Sequence, residues 1–231
     1  MKNENVVGYE RNAIPATTYP RKEDGREGFV LFTNGFSHRI RGEISIGKNV
    51  RLQDTLNTLD DSYMQVLKAK WFEYNNGVYT PTTRTRNKDA RAGGIRIDII
   101  DLIYPLRKFQ DANQAKAAYD LLDPVEIEFP MDGLEEYHIR GSVLVYRLPD
   151  KAKDMQKSIY ERVESKLEAK LKNGNNKFIA IINPSAVDEN GKVTDELEVR
   201  LSLLKRISED SSNAILVNVG KIKHFELVDG Y

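Results

Sequence analysis

Short apolar stretches separated by polar turns run along most of this chain, and several of them alternate with a period of two. In the stretch 38–46, three isoleucines share one face and charged side chains occupy the other. This alternation predicts a half-buried β-strand. A fully apolar strand over 29–32 precedes it, and the dipeptide Asn34-Gly35 between the two predicts a tight turn.

The same pattern predicts further strands over 64–74, 95–103, 125–129, 137–147, 178–182, 214–219 and 222–228. Leucines at helical spacing predict a short helix over 52–59, and apolar stripes predict longer helices over 149–174 and 195–207. A run of helix formers from 107 stops before Pro124, and it predicts a linker helix over 107–124.

The second half of the chain repeats motifs of the first half in the same order. His38-Arg39-Ile40-Arg41-Gly42 returns as His138-Ile139-Arg140-Gly141, and the turn Asn75-Asn76-Gly77 returns as Glu189-Asn190-Gly191. Fainter matches link 52–56 with 155–159, and 97–102 with 215–222. Ordered matches of this kind indicate two copies of one structural unit with insertions between the anchors.

These elements predict an α+β protein made of two tandem, internally duplicated β-rich units, each running strand, helix, strand, turn, strand. We expect an extended N-terminal arm over 1–28, a first unit over 29–106, the linker helix over 107–124 and a second unit over 125–231. Antiparallel pairing is favoured within each unit, although strand, helix and strand would also fit one parallel crossover.

The pattern Ile40-x-Gly42-x-Ile44 followed by Arg51-Leu52-x-Asp54-x-Leu56-Asn57 resembles a small bacterial domain of unknown function. That family has an I-x-G-x-I strand, then R-L-S-D-x-L-N, then an apolar strand. The resemblance covers about 36–75, with a fainter second occurrence over 137–187. It implies a fold and no activity.

Composition narrows the class of protein. The 231 residues include 35 Lys plus Arg, 35 Asp plus Glu and no cysteine. A formal charge of zero gives no whole-molecule attraction to nucleic acid or anionic lipid, and the lack of cysteine excludes disulfides and fits a reducing compartment. No apolar stretch approaches the roughly 20 residues of a spanning helix, so we expect a cytoplasmic protein without membrane insertion.

Two arginine-glycine pairs at matched positions are candidate anion sites. Arg41 and Arg140 each precede a glycine in a predicted strand, where a bidentate grip on phosphate or carboxylate is one interpretation. The alternative is a bulge with the arginine in solvent. The three histidines, His38, His138 and His224, have no neighbouring ligand in sequence, so we expect neither a metal site nor a cofactor.

The basic loop over 84–91 is the second candidate. It contains Arg84, Arg86, Lys88 and Arg91, and Trp71 and Tyr79 precede it as candidate stacking surfaces for single-stranded nucleic acid. A solvated hairpin loop is the alternative interpretation.

A duplicated unit without a catalytic motif indicates a non-enzymatic assembly or interaction protein that forms homo-oligomers or a multi-subunit complex. Its expected partners are further copies of itself or other protein subunits. The alternative is a nucleic-acid-binding accessory protein that works through the basic loop and its neighbouring aromatics.

Overall fold

The computed structural model describes residues 25–47, 52–59, 63–82, 92–106, 122–134, 136–146, 176–194 and 214–228. Of these residues, 68% lie in strands and 10% are helical. Every pairing among their strands is antiparallel. The described part of the chain is therefore a β protein.

The strands form one twelve-stranded sheet. The first half of the chain supplies β1 (Gly25–Thr33), β2 (His38–Ile46), β3 (Tyr63–Asn75), β4 (Val78–Pro81), β5 (Ala92–Arg96) and β6 (Ile100–Pro105). The second half supplies β7 (Leu122–Pro130), β8 (Tyr137–Tyr146), β9 (Phe178–Asp188), β10 (Val193–Thr194), β11 (Ala214–Asn218) and β12 (Glu226–Leu227). Helix α1 (Leu52–Asn57) follows β2, and the 3-10 helices Ile97–Ile99 and Val219–Lys221 follow β5 and β11.

The two halves pair their strands in the same order. We call β1 to β6 with α1 the first unit, and β7 to β12 the second unit. The first unit runs β6-β1-β2-β3, with β4 and β5 both on β3. The second unit runs β12-β7-β8-β9, with β10 and β11 both on β9. The units join where β11 pairs with β6.

A glycine bulge occupies the same place in both units. The register of β2 on β3 shifts between Arg41 and Glu43, and that of β8 on β9 shifts between Arg140 and Ser142. A Cβ added at Gly42 would lie 2.5 Å from Val66 Cγ1, and one added at Gly141 would lie 2.5 Å from Ile181 Cγ2. Glycine is required at both bulges because the adjacent strand leaves no room for a methyl group.

Two apolar cores lie on opposite faces of the sheet. Phe29 and Leu31 of β1 face the core that contains α1, whereas Val30 and Phe32 face the core of the second unit. Consecutive strand residues point to opposite faces, so β1 is buried on both. All six residues of β6 are buried as well. The unbroken apolar run of β1 follows from this double burial.

The predicted α+β class with strand-helix-strand units is wrong. Among the described residues, α1 is the only α-helix, and antiparallel strands make up most of both units. The short α1 packs Leu52 and Leu56 into the core of the first unit. The helices expected over 149–174 and 195–207 lie outside the described residues.

The prediction of a linker helix over 107–124 is also wrong at its carboxyl end. Its remaining residues, 107–121, lie outside the described residues. Strand β7 begins at Leu122 and contains Pro124, which lies opposite Leu144 of β8. Among the described residues, β12 pairs with β7 at Ile127 and Glu128. Within this part of the chain, Pro124 lies beyond the stretch of β7 that pairs with β12, where a proline is tolerated because no described strand needs its N–H.

The two bulge glycines generate a prediction. Gly42→Ala and Gly141→Ala should each lower the free energy of unfolding by about 1–3 kcal/mol, since the added methyl group overpacks the adjacent strand. Gly93→Ala is the control, because a Cβ there meets nothing within 4 Å. Urea unfolding measures all three variants. Equal effects at Gly42 and Gly93 would contradict the assigned close approach.

Candidate functional site: the junction between the units

The residues of the predicted nucleic-acid surface are not brought together among the described residues. The loop residues Arg84, Arg86, Lys88 and Arg91 lie outside the described part of the chain. Trp71 packs against the core of the first unit, whereas Tyr79 packs against that of the second unit. The two aromatics lie on opposite faces of the sheet, so they form no common stacking platform. The nucleic-acid alternative stays a prediction that rests on sequence alone.

Tyr79 takes part in a partly buried cation–aromatic cluster. Its hydroxyl donates to the Phe36 carbonyl at 2.6 Å. The Arg39 guanidinium lies 4.3 Å from the centre of the Phe72 ring and 4.8 Å from that of Tyr79. Burial lowers the pKa of Arg39 below its ordinary value. The stacked arginine is thus Arg39, which sequence reasoning passed over in favour of its neighbour.

The two candidate anion sites, at Arg41 and Arg140, differ in their surroundings. Arg41 is exposed on β2. Arg140 donates from Nε and Nη2 to Glu128 Oε2 at 2.9 and 2.6 Å. His138 Nδ1 lies 3.0 Å from Glu128 Oε1. The Arg140 guanidinium therefore holds a carboxylate of this chain on the neighbouring strand.

The two units meet in a buried, apolar strand pairing. Strands β6 and β11 bring Leu216 opposite Ile103 and Val217 opposite Leu102. All four side chains are buried. This apolar pairing continues one hydrogen-bonded sheet from the first unit into the second, so the junction is part of the fold's interior.

Asn218 closes the junction at the end of β11. Its Nδ2 donates to the carbonyls of Ile97 at 3.1 Å and Ile100 at 2.7 Å. Its Oδ1 accepts from the Gly220 N–H at 3.0 Å. One buried amide therefore satisfies backbone groups of both units.

Asn57, the last residue of α1, makes a second polar contact between the units. Its Oδ1 accepts from the Phe178 N–H at 2.8 Å, and its Nδ2 donates to the Phe178 carbonyl at 3.1 Å. Gln53 Nε2 donates to the same carbonyl at 3.2 Å. These side chains pair with the first residue of β9 as a strand would. Asn57, the last residue of the 51–57 motif, thus contributes to the contact between the units.

Asp101 of β6 is the buried charge of the junction. Its side chain is fully buried, and its Oδ2 accepts from the Phe36 N–H at 3.0 Å. Lys221 Nζ of the second unit lies 3.8 Å from Oδ1, which has no hydrogen-bond partner among the described residues. Burial raises the pKa of Asp101 to about 6, so desolvation outweighs the favourable Phe36 and Lys221 contacts.

Sequence reasoning missed Asp101, Asn218 and Asn57 as contact residues. Asp101 interrupts an apolar strand, which was a usable signal, since a charge inside such a run needs a partner. Asn218 gave no comparable signal because its partners are backbone carbonyls distant in sequence.

The comparisons with known proteins found no matching family model, no matching curated protein and no matching solved structure. Within the described ranges, no group of three or more His, Cys, Asp or Glu side chains is arranged to hold a metal ion. No helix in the described part of the chain has the length and apolar character needed to cross a bilayer.

Asp101→Asn tests the cost of burying this carboxylate. Its folded pKa is about 6, above the ordinary value near 4, so the folded protein binds the proton more tightly than the unfolded chain does. Stability is then highest with the proton bound and falls by roughly 3 kcal/mol as pH rises through about 4 to 6. Urea unfolding at several pH values should show this loss relative to Asp101→Asn. Parallel pH profiles would contradict the assignment.

Asn57→Ala tests the contact between α1 and β9. The substitution removes the acceptor of the Phe178 N–H, whereas Gln53 still donates to the carbonyl, so we expect a loss of about 1–3 kcal/mol. Asn75→Ala, at the exposed last residue of β3, is the matched control and should change stability by less than about 0.5 kcal/mol. Equal effects of the two substitutions in chemical unfolding would refute the role of Asn57.

Proposed function

We propose that this protein is a non-enzymatic assembly protein that forms homo-oligomers or a larger complex through the edges of its β-sheet. Its lack of cysteine suits a reducing compartment, and we place this function in the cytoplasm. The candidate site is a strand edge. We expect copies of the chain to associate through strand edges in the way that the two units do within one chain.

The observation that carries the proposal is the junction itself. The units bind each other by pairing β6 with β11, which is how strand edges bind one another between separate chains. Among the described residues, β5 pairs only with β3, and β12 pairs only with β7. An unpaired strand edge presents N–H and C=O groups that bind a further strand. The described chain therefore contains one completed edge contact, and β5 and β12 are edges at which the sheet can continue in the same way.

The proposal predicts that the solution mass depends on concentration. Light scattering across a dilution series should give masses above the 26.4 kDa of one chain, rising in multiples of that value. Nuclease treatment should leave the mass unchanged, because the partner is protein. A single 26.4 kDa species at every concentration would contradict self-assembly. A mass that falls after nuclease treatment would favour the nucleic-acid alternative.

A further inference from the structure

Strands β5 and β11 occupy equivalent places in the two units. Along β3 and β5, Tyr63 lies opposite Arg96 and Met64 opposite Ile95. Along β9 and β11, the corresponding pairs are Phe178 with Asn218 and Ile179 with Val217. Each short strand then leads into a 3-10 helix. Position by position, Gly94 of β5 therefore corresponds to Leu216 of β11.

Strands β6 and β12 correspond in the same way. Ile100 pairs with Thr33 of β1, and Ile222 pairs with Met131, which directly follows β7. In β6 the register then shifts by one residue, so that Ile103 lies opposite Leu31. The same shift separates the Ile222 bridge from the pairing of Glu226 with Glu128. Phe225 of the second unit therefore corresponds to Ile103 of the first unit.

The junction joins two edges that are not equivalent. Strand β6 is the β1-side edge of the first unit, and β11 is the β9-side edge of the second unit. The units are thus joined head to tail. A head-to-tail contact leaves its two complementary edges at the ends of the pair, where the same contact can be repeated. Here those edges are β5 and β12.

We propose that a second copy of this chain pairs its β5 with β12 of the first copy and with Phe225, the residue directly before β12. The pairing is antiparallel, with Gly94 opposite Phe225. This inference rests on the proposed function and names its partner and its surface. When this contact is repeated, every added copy has the same head-to-tail orientation, because β5 always pairs with β12. It produces a ring if the rotation per copy closes and a filament if it does not.

The backbone hydrogen bonds show which groups each edge presents. In β11, the Val219 N–H donates to the Lys177 carbonyl, so alternate residues of β11 bond to β9 and Leu216 points its backbone groups to β6. In the second unit's outer edge, the Val228 N–H donates to the Glu126 carbonyl. Alternation along this segment therefore turns the Phe225 N–H and C=O away from β7. Gly94 is equivalent to Leu216, so the N–H and C=O groups of Gly94 point away from β3.

The exposure of Tyr63 supports the repeated contact. Tyr63, at the start of β3, is 55% exposed, whereas Phe178, its equivalent in β9, is fully buried. Phe178 is buried in the core of the first unit, the neighbour that lies across the β6·β11 junction. The second unit of another copy, docked on β5, would cover Tyr63 in the corresponding way.

The contact between copies should be weaker than the junction within a copy. Gly93 and Gly94 stand where β11 has Ile215 and Leu216, and His224 stands where β6 has Leu102. Less apolar surface is then buried, and hydrophobic stabilisation scales with that area. We therefore expect reversible, concentration-dependent assembly.

Two proline variants test the contact. Gly94→Pro removes the outward N–H of β5, and Phe225→Pro removes that of the β12 edge; proline is tolerated at edge strands. Each variant alone should remain a monomer by light scattering, because one of its two edges is blocked. An equimolar mixture of the two variants should form a dimer and no larger species. Only the β12 edge of the Gly94→Pro variant and the β5 edge of the Phe225→Pro variant remain free to pair.

The matched controls are Gly94→Ala and Phe225→Leu, which keep both N–H groups. A Cβ at Gly94 lies 3.4 Å from Tyr63 Cδ1, an ordinary contact. Both controls should assemble like the wild type. Proline variants that assemble like the wild type, or a mixture that grows beyond the dimer, would overturn the edge contact and leave self-assembly intact. A wild-type protein that is monomeric at all concentrations would overturn both proposals.

If circular dichroism shows that a proline variant has unfolded, a cysteine pair replaces it. The natural chain contains no cysteine, so Gly94→Cys with Phe225→Cys places the only two thiols in the predicted contact. Directly opposed residues in an antiparallel pair have Cα atoms about 5.5 Å apart, within disulfide range. Oxidation should give a ladder of covalent multimers on a non-reducing gel. The control, Val78→Cys with Phe225→Cys, should give none. Failure of the first pair to form multimers would overturn the contact.

Discussion

The pairing of β6 with β11 is the constraint on which the rest of this structure depends. It places strands of both units side by side in the middle of one sheet, so those strands need apolar side chains on both faces. Two cores result, one on each face, and β1 contributes alternate residues to each. Each core contains buried residues of both units, so the described part of each unit is covered in part by strands of the other.

The polar groups of the junction follow from the same constraint. Backbone N–H and C=O groups at the ends of buried strands need partners, since unpaired polar groups cost free energy inside a protein. Asn218 and Asn57 supply those partners across the boundary between the units. Asp101 is the exception: one of its oxygens lacks a hydrogen bond among the described residues, and its burial favours the protonated form. The units are thus joined by apolar contact and by side chains that complete the backbone pairing.

Local features of the fold could be predicted from sequence. The alternation of isoleucines located β2 at 38–46, and Asn75-Asn76-Gly77 located the hairpin between β3 and β4. The repeated Arg-Gly dipeptides located two bulges of the same geometry. Each of these signals comes from residues close in sequence, where periodicity and turn chemistry act directly.

Long-range pairing could not be predicted in this way. A single strand was expected over 95–103, but β5 ends at Arg96 and β6 begins at Ile100, and the two pair with different strands. Their apolar residues read as one run because β6 is buried on both faces and shows no alternation. The α+β class was wrong for a related reason. Helix formers before Pro124 predict a linker helix, whereas β7 already begins at Leu122.

Amide hydrogen exchange at four positions distinguishes the junction from the two outer edges. We expect the N–H groups of Ile103 and Leu216, which point across the junction, to exchange only through global unfolding. Those of Gly94 and Phe225 should exchange rapidly in dilute solution and become protected as the protein concentration rises. Protection at Gly94 and Phe225 that does not depend on concentration, or rapid exchange at Ile103 and Leu216, would contradict a sheet built by one repeated edge contact.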